Sequence, residues 1–431
     1  MKGKNFQIIV LVMFVTAAVI GVLVFSGVIP ISDKNTPGGQ GTVVLWGTVK
    51  SQAIFPLIDN FNLNNPTFVV KYMEKSANTF DQDLLEALAS GTGPDMFFLP
   101  ENLVYRYKNK ILTIPYESFP LASFKTNFAG AGEVFLTSKG VLAFPITIDP
   151  LVMYYNRSIL DANGITTPPT YWSELINLAP ILSKKDESSK INKSAVALGQ
   201  FANITNAKDI MATLFMQIGN PIVAEKDGNF ISFLGDSSGQ FNLPSVLQFY
   251  TDFADPLKSV YSWNRSFLNS NDAFSAEDLA FYFGYASELK SFINKNPNQN
   301  FLVAPMPQIK DANFKLTSAR VMGISVSSFS KNPNTAFVAA SLMSSGDFAS
   351  ALATALGVAP ARRDLLSVRP SDIFSSTFYP SALYARSWLD PSPKDTDNIF
   401  RAMVDGVLSN NMTPGNAIKD ASAKLDLLLR K

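Results

Sequence analysis

Two residue types that carry much of protein chemistry are missing from this sequence: its 431 residues include no cysteine and no histidine. Without cysteine there can be no disulfide, no thiol nucleophile, no thiolate metal site and no lipid-modified cysteine. Without histidine, Ser-His-Asp and Cys-His catalytic arrangements and most zinc sites are excluded. Any reaction would have to use carboxylates, lysine, tyrosine or serine, and we expect neither a metal nor a cofactor.

The chain also lacks a large net charge of either sign. The chain has 36 Lys and Arg against 35 Asp and Glu, a net charge of +1, and the basic residues form no dense stripe. Nucleic acid is therefore not an expected partner. The chain is 47% hydrophobic and 16% charged, which is typical of globular proteins, and its length allows two domains.

One long apolar run is present, at residues 8–29. As a helix that rises about 1.5 Å per residue, it spans about 33 Å, enough to cross a bilayer core of about 30 Å. Lys2 and Lys4 precede it, which favours a cytoplasmic N-terminus, residues 1–7, and an extracytoplasmic main domain. A cleaved signal peptide is the alternative, but its apolar region is normally shorter and ends in small residues. Residues 30–41, which are polar and rich in Gly and Pro, are predicted to form a flexible linker.

Beyond the linker, apolar β-branched runs alternate with segments whose apolar residues have helical spacing. We expect strands at 42–46, 68–72 and 96–99, and helices at 51–62 and 79–88. This order predicts an α/β fold with a doubly wound parallel sheet. Ligands of such sheets bind beyond the carboxyl ends of the strands, which here are residues 46–48 and 100–102.

Two further apolar runs contain prolines, FPITIDP at 144–150 and FLVAPMP at 301–307. They divide the chain into alternating blocks, as in a two-lobed protein whose chain crosses between the lobes more than once. Motion between lobes would concentrate at those crossings. We expect regular sheet pairing to stop at the prolines of FPITIDP.

Five segments of the chain share a family pattern when they are taken in order. They are SGTGPDMFFL (90–99), GVLAFPITIDPLVMYYNRSILDANGITTPPTYWSEL (140–175), FSAEDLAFYFG (274–284), SFSKNPNTAFVAASLMSS (328–345) and GVAPARRDLL (357–366). This series resembles the family 1 extracellular solute-binding proteins of ABC importers, the group that contains maltodextrin-binding proteins. The resemblance covers nearly all of residues 42–431.

The resemblance implies two doubly wound α/β lobes joined by a hinge with several crossings, the periplasmic-binding-protein type II fold, preceded by the N-terminal transmembrane helix. Lobe I is expected to comprise residues 42–148 and 304–345, and lobe II residues 149–303 and 346–431. The function implied is that of a monomeric receptor, not an enzyme, held at the cell membrane by a single span. It would capture a small ligand, a sugar or oligosaccharide, between its lobes and deliver it to the subunits of an ABC permease.

The sequence departs from the family pattern in places that bear on the ligand. Many bacterial relatives are lipoproteins, so the apolar helix would replace the lipid as anchor. Glu277 and Asp278 stand where relatives usually have Gly-Lys, and Phe281 stands where they have Met. Residues 319–322 replace a Gly-Gly pair that often precedes a strand. These changes are expected to alter the shape of the cleft.

Candidate ligand-binding residues in the first half of the chain follow from strand ends and from the resemblance. Sugar sites of this family use aromatic faces and carboxylates or amides, and the same side chains could bind amines. Trp46 and Gly47 end the first strand, and Glu101 and Asn102 follow the third. Asn102 and Asp149 fall where maltodextrin-binding relatives place ligand-bonding carboxylates. The alternatives are a core role for Trp46, a helix cap for Asn102, and backbone or salt-bridge contacts for Asp149.

Four candidates lie later in the chain. Tyr285 follows a predicted strand and would face the cleft from the second lobe. Trp263 and Trp388 are aromatic candidates with no motif to position them. Arg320 could contact an anionic group on a ligand, or it could be a solvated surface charge.

Two other functions use the same residues differently. A glycosidase could pair Asp149 with Glu101 or Asp95, if the carboxylates lay about 5–5.5 Å or 6.5–9.5 Å apart. A receptor domain that feeds a signalling partner would need the same cleft but no permease.

Overall fold

The computed structural model describes residues 40–187, 190–235, 242–370 and 372–430. Its main sheet has the order β2-β1-β3-β13-β6-β11-β8-β7, with β12 and β14 also paired to β6 and β15 to β13. The strands are β1 Gly41–Gly47, β2 Phe68–Glu74, β3 Met96–Pro100, β4 Leu136–Thr137, β5 Gly140–Val141, β6 Phe144–Asn156, β7 Lys184–Lys185, β8 Ile191–Val196, β9 Val223–Lys226, β10 Asn229–Ser232, β11 Leu279–Tyr285, β12 Phe301–Ala304, β13 Thr317–Val326, β14 Ala359–Pro360 and β15 Ala385–Arg386.

Helices cover the faces of this sheet. They are α1 Ser51–Asn64, α2 Phe80–Ala89, α3 Val104–Tyr107, α4 Leu121–Asn127, α5 Arg157–Ala162, α6 Trp172–Leu182, α7 Ala207–Gln217, α8 Leu243–Asp252, α9 Ser270–Ser275, α10 Leu289–Lys295, α11 Pro333–Met343, α12 Asp347–Leu356, α13 Arg363–Leu366, α14 Ser375–Tyr384, α15 Pro393–Leu408 and α16 Pro414–Leu429. Short 3₁₀ helices lie at Glu101–Leu103, Gly130–Phe135 and Ala286–Glu288.

The first lobe is built on three parallel strands. β1 lies between β2 and β3 and pairs in parallel with both. Its Val43 and Leu45 side chains are fully buried, because helices cover the sheet and hold an apolar core against it. The predicted order of strand, helix, strand, helix and strand is confirmed in this lobe, and it brings the carboxyl ends of β1 and β3 to one edge.

Two long strands join the lobes, and one of them contains both prolines of the FPITIDP run. The first half of β6, as far as Pro150, pairs with β13, and its second half pairs with β11. The expectation that sheet pairing stops at the prolines is wrong, because β6 continues unbroken for 13 residues. The ladder accommodates Pro145 by a register shift opposite Met322 and Gly323. Such a bulge tolerates a residue without an N–H group.

The contacts differ from the predicted lobe boundaries at two points. Residues 301–304 still pair with the second half of β6, so the return crossing is made later, by β13. Residues 347–366 pack on the first lobe, where the Phe348 and Phe61 rings lie 5.6 Å apart and Ala129 N donates to Ala361 O. We therefore define the first lobe as residues 41–148 and 321–366, and the second lobe as residues 149–319 and 385–430.

The second lobe is centred on β11, which is buried along its whole length. β11 runs antiparallel to β6 and parallel to β8. A cluster of aromatic rings packs below it, with Tyr154, Phe274 and Phe292 in mutual contact at 5.1–6.2 Å between ring centroids. This packing fixes the end of β11, where Tyr285 lies.

The predicted membrane anchor at residues 8–29 lies outside the described residues. Within the part of the chain that the structure describes, no single helix is both long and apolar enough to cross a bilayer. The pair α11 and α12 meets the length and composition test together, but it is bent by 66°.

Candidate functional site

A cavity of about 320 Å³ opens between the two lobes, where β3 ends, β13 crosses and α7 begins. Its walls carry charge of both signs and three aromatic rings. The cations are Lys208, Arg320, Arg386 and Arg401; the acids are Glu101, Asp209, Asp390 and Asp397; the rings belong to Phe201, Tyr285 and Trp388. Side chains of this kind can stack on a ligand ring and hydrogen-bond its polar groups at the same time.

Glu101 projects from the 3₁₀ helix that follows β3. Its Oε2 atom accepts a hydrogen bond of 2.9 Å from the backbone nitrogen of Val321, so it ties the first lobe to the crossing strand β13. Burial raises the pKa of Glu101 to about 7, although the Val321 hydrogen bond and the charge of Arg320 favour the ionised carboxylate. Near neutral pH this carboxyl can therefore either donate or accept a hydrogen bond.

Arg320 lies over the ring of Tyr285, with its guanidinium carbon 3.8 Å from the ring centroid. Its Nη2 atom is 3.3 Å from Asn206 Oδ1 and 3.9 Å from Asp209 Oδ2. Burial raises the pKa of Asp209, and Arg320 opposes that rise. The Arg320 side chain is also half exposed, so it is a solvent-facing cation of the cleft that has protein partners.

Asp149 is held by Ser287 rather than turned into the cavity. Its two carboxylate oxygens accept hydrogen bonds from the Ser287 backbone nitrogen (3.0 Å) and hydroxyl (2.6 Å). In the ladder Asp149 lies opposite Arg320. Burial raises the pKa of Asp149 to about 6, against the hydrogen bonds from Ser287 and the charge of Arg320. The alternative interpretation, a carboxylate that accepts a backbone N–H at the hinge, matches this geometry.

A buried ion pair forms another wall of the cavity. Lys208 Nζ lies 2.8 Å from Asp390 Oδ2, and the two side chains are only 15% and 7% exposed. The hydroxyl of Thr396 is 3.1 Å from Lys208 Nζ and donates to Asp390. These contacts fix the start of α7 against the loop that precedes α15.

A second cavity of about 450 Å³ lies directly beside the first, and the two share residues 386–388. Lys108, Glu133, Glu225 and Phe230 are among its lining residues. Trp388 is packed on Phe400, with the ring centroids 6.2 Å apart and the planes inclined by 28°. Arg386 and Trp388 therefore line both cavities.

Comparison with known proteins identifies the family of the chain that forms this cleft. Residues 56–375 match the model of the family described as bacterial extracellular solute-binding protein. The chain belongs to this family. The prediction of a solute-binding protein and not an enzyme is thereby confirmed, and the family indicates that the described domain is extracytoplasmic. No curated protein sequence matches the chain significantly.

Solved structures show that this solute-binding protein has the type II fold expected of ABC importer receptors. It is similar to a cyclo/maltodextrin-binding protein complexed with maltotetraose (18% identity, TM-score 0.71, 91% of this chain and 97% of that one). It also resembles the sugar-binding protein MalE of Xanthomonas citri (15% identity, TM-score 0.72, 90% of this chain and 97% of that one). A third similar structure is that of the cyclic α-maltosyl-1,6-maltose binding protein of Arthrobacter globiformis (14% identity, TM-score 0.74, 91% of this chain and 100% of that one). At these identities the likeness shows a shared fold.

Five of the nine predicted site residues line the cleft of this solute-binding protein: Glu101, Asn102, Tyr285, Arg320 and Trp388. Trp46 is 8% exposed and lies under Lys75, whose Nζ is 3.6 Å from the ring centroid. Gly47 gives room to the core, since a Cβ there would come within 2.4 Å of Phe98. Trp263 is fully buried and stacked on Phe267 at 4.4 Å, so it is a core residue.

Sequence reasoning missed most of the charged residues of the cleft. Lys208 and Asp209 lie in the first turn of α7, Arg386 on the two-residue strand β15, and Asp390 in a loop. None stands in a motif. Next to them, Asn206 adopts a left-handed backbone with φ of 62°, and its amide donates to Glu288 at 2.7 Å. Asparagine is one of the few residues that tolerate this conformation, and it often does so at functional turns.

The two lobes also touch at the edge of the second cavity, at the rim of the cleft. Tyr105 of the first lobe donates its hydroxyl to the Leu429 carbonyl at 2.6 Å. Its ring packs edge-on against Phe230 of the second lobe at 6.2 Å. Lys108 lies 3.7 Å from the Tyr105 ring and 5.2 Å from that of Phe230. We call Tyr105, Lys108, Phe230 and Leu429 the rim contact.

Proposed function

We propose that this solute-binding protein captures a sugar or oligosaccharide in the cleft between its lobes. The observation that carries the proposal is the partly exposed Trp388 ring beside convergent polar side chains in one cavity between the lobes. Aromatic faces suit the C–H surfaces of sugar rings, and the polar side chains suit the hydroxyl groups. Three structurally similar proteins are named for maltodextrin, sugar or cyclic maltosyl-maltose binding.

The test is a ligand screen on the full-length chain with neutral and carboxylated oligosaccharides of two to four units. We expect at least one to raise the melting temperature and to quench tryptophan fluorescence saturably, because Trp388 lines the cleft. Trp388→Ala should weaken that ligand about threefold to tenfold. Trp46→Phe serves as the matched control and should leave the affinity unchanged, since Trp46 lies under Lys75. A folded chain that responds to no member of the panel would contradict the proposal.

The proposal extends to delivery and anchoring. The family match and the fold support a role in feeding an ABC permease, and the apolar run at residues 8–29 supports retention in the membrane by one span. The full chain should then remain with washed membranes, and ligand uptake by cells should depend on it. Recovery of a shortened chain in the soluble extracytoplasmic fraction would contradict retention and indicate a cleaved signal peptide.

A further inference from the structure

We infer that the ligand of this cleft is an acidic sugar, an oligosaccharide whose carboxylate is bound by Arg386. The inference rests on the proposed function and narrows its substrate class. Arg386 lines both cavities and lies beside Trp388, so a ligand in either cavity can reach its guanidinium.

The other cations of the first cavity already have carboxylate partners. Lys208 is paired with Asp390 at 2.8 Å, Arg401 with Asp397 at 3.3 Å, and Arg320 with Asp209 at 3.9 Å. Arg386 has no carboxylate oxygen within 4.0 Å among the described residues. Of the four cations in this wall, it is the one that a ligand anion could neutralise without displacing a protein partner.

The guanidinium of Arg386, an exposed residue, has two contacts with the protein. Its Nη1 atom donates to the Ala385 carbonyl at 2.9 Å, and the group packs against Gly130. A Cβ at position 130 would lie 2.0 Å from Nη1, so glycine leaves the space that the guanidinium fills. A positioned, planar guanidinium has further N–H groups to offer, and paired N–H donors match the two oxygens of a carboxylate.

The acids nearby favour the first-cavity side of Arg386 as the place for the carboxylate. In the second cavity Glu133 and Glu225 would repel an anion, although Lys125 approaches Glu133 at 4.0 Å. In the first cavity Asp390 and Asp397 are neutralised by their partners. Glu101 is partly protonated near neutral pH, because burial raises its pKa to about 7, and it repels an anion correspondingly less.

The test compares matched sugars on the full-length chain by calorimetric titration. The probes are the trimers of galacturonate, glucuronate and mannuronate, their methyl esters, and the corresponding neutral trimers. We expect at least one acid trimer to bind about tenfold or more tightly than its own ester, and that preference to weaken as salt is added. Arg386→Gln should abolish the preference and leave neutral binding in place, and Arg386→Lys should restore part of it.

Arg106→Gln is the charge-matched control. Arg106 is paired with Asp81 on the surface and lines neither cavity, so this variant should keep the full preference for the acid. Equal binding of acid and ester, or tighter binding of the neutral trimer, would overturn the inference while the sugar-binding function stands. A preference that survives Arg386→Gln would also overturn it. If no sugar of either kind bound to the folded chain, the proposed function itself would fall.

Discussion

Replacing Lys208 by methionine is expected to lower the free energy of unfolding by about 3–5 kcal/mol, the usual cost of leaving one member of a buried ion pair unpaired. Asp390 would remain only 7% exposed, with the Thr396 hydroxyl and the Ser392 backbone nitrogen as its remaining donors. The measurement is the denaturant midpoint and slope of the full-length chain, followed by far-ultraviolet circular dichroism.

Two comparisons make this result specific. Lys424→Met removes an exposed pair with Asp420, whose side chains are 48% and 39% exposed, and should cost no more than about 1 kcal/mol. The double variant Lys208→Met with Asp390→Leu should recover much of the loss, because no buried charge is then left alone. A single variant as stable as Lys424→Met would show that the pair is solvated and contributes little.

Replacing Arg320 by methionine is expected to destabilise the chain by about 1–3 kcal/mol at pH 8 and by much less at pH 5. Arg320 is the cation that faces Glu101, Asp149 and Asp209. Its side chain is half exposed, so the effect is smaller than that of a fully buried pair. Without it, three carboxylates of like charge must ionise near one another at alkaline pH.

The sign of this pH dependence is set by the pKa values. Burial raises the pKa of Glu101 to about 7 and that of Asp149 to about 6, both above the ordinary values. At these two carboxyls the folded chain therefore binds more protons than the unfolded chain, and their contribution to stability falls as pH rises from about 4 through about 7. Loss of Arg320 raises these pKa values further and steepens the fall.

Melting temperatures of the wild type and the variant across pH 4.5–8.5 give the measurement. Arg320→Lys should follow the wild-type profile more closely, since it keeps a cation although it loses the guanidinium contact with the Tyr285 ring. Adding Glu101→Gln to Arg320→Met should flatten the dependence of melting temperature on pH, because it removes the carboxyl with the higher of the two pKa values. Equal destabilisation by Arg320→Met at pH 5 and pH 8 would contradict the electrostatic explanation.

Local patterns in the sequence were sufficient to predict the strands of the first lobe but not the strand pairing at the hinge. The strands at Gly41–Gly47 and Met96–Pro100 are apolar, β-branched or aromatic runs with clear ends, so their positions follow from composition alone. The continuation of β6 through Pro145 and Pro150 could not be predicted from local composition. A proline disrupts pairing only where its missing N–H is needed, and that depends on the register of β13, about 170 residues later.

The site was predictable at the strand ends and not elsewhere. Glu101 and Tyr285 line the cavity because each lies where a strand ends at the cleft. Trp46 also ends a strand, but Lys75, which comes from another part of the chain, covers its ring. Arg386 lies on a strand of two residues whose position is set by pairing with β13, and no local pattern marks such a residue.

The rim contact bears on how the receptor binds at low ligand concentration. Tyr105 and Phe230 join the lobes with protein groups alone, so part of the free energy that holds the cleft shut is independent of the ligand. Apparent affinity equals intrinsic affinity multiplied by the closed fraction, so raising that fraction from about 1% to about 10% tightens binding about tenfold. A change at Tyr105 is therefore expected to alter the apparent affinity of the cleft without altering which ligand it selects.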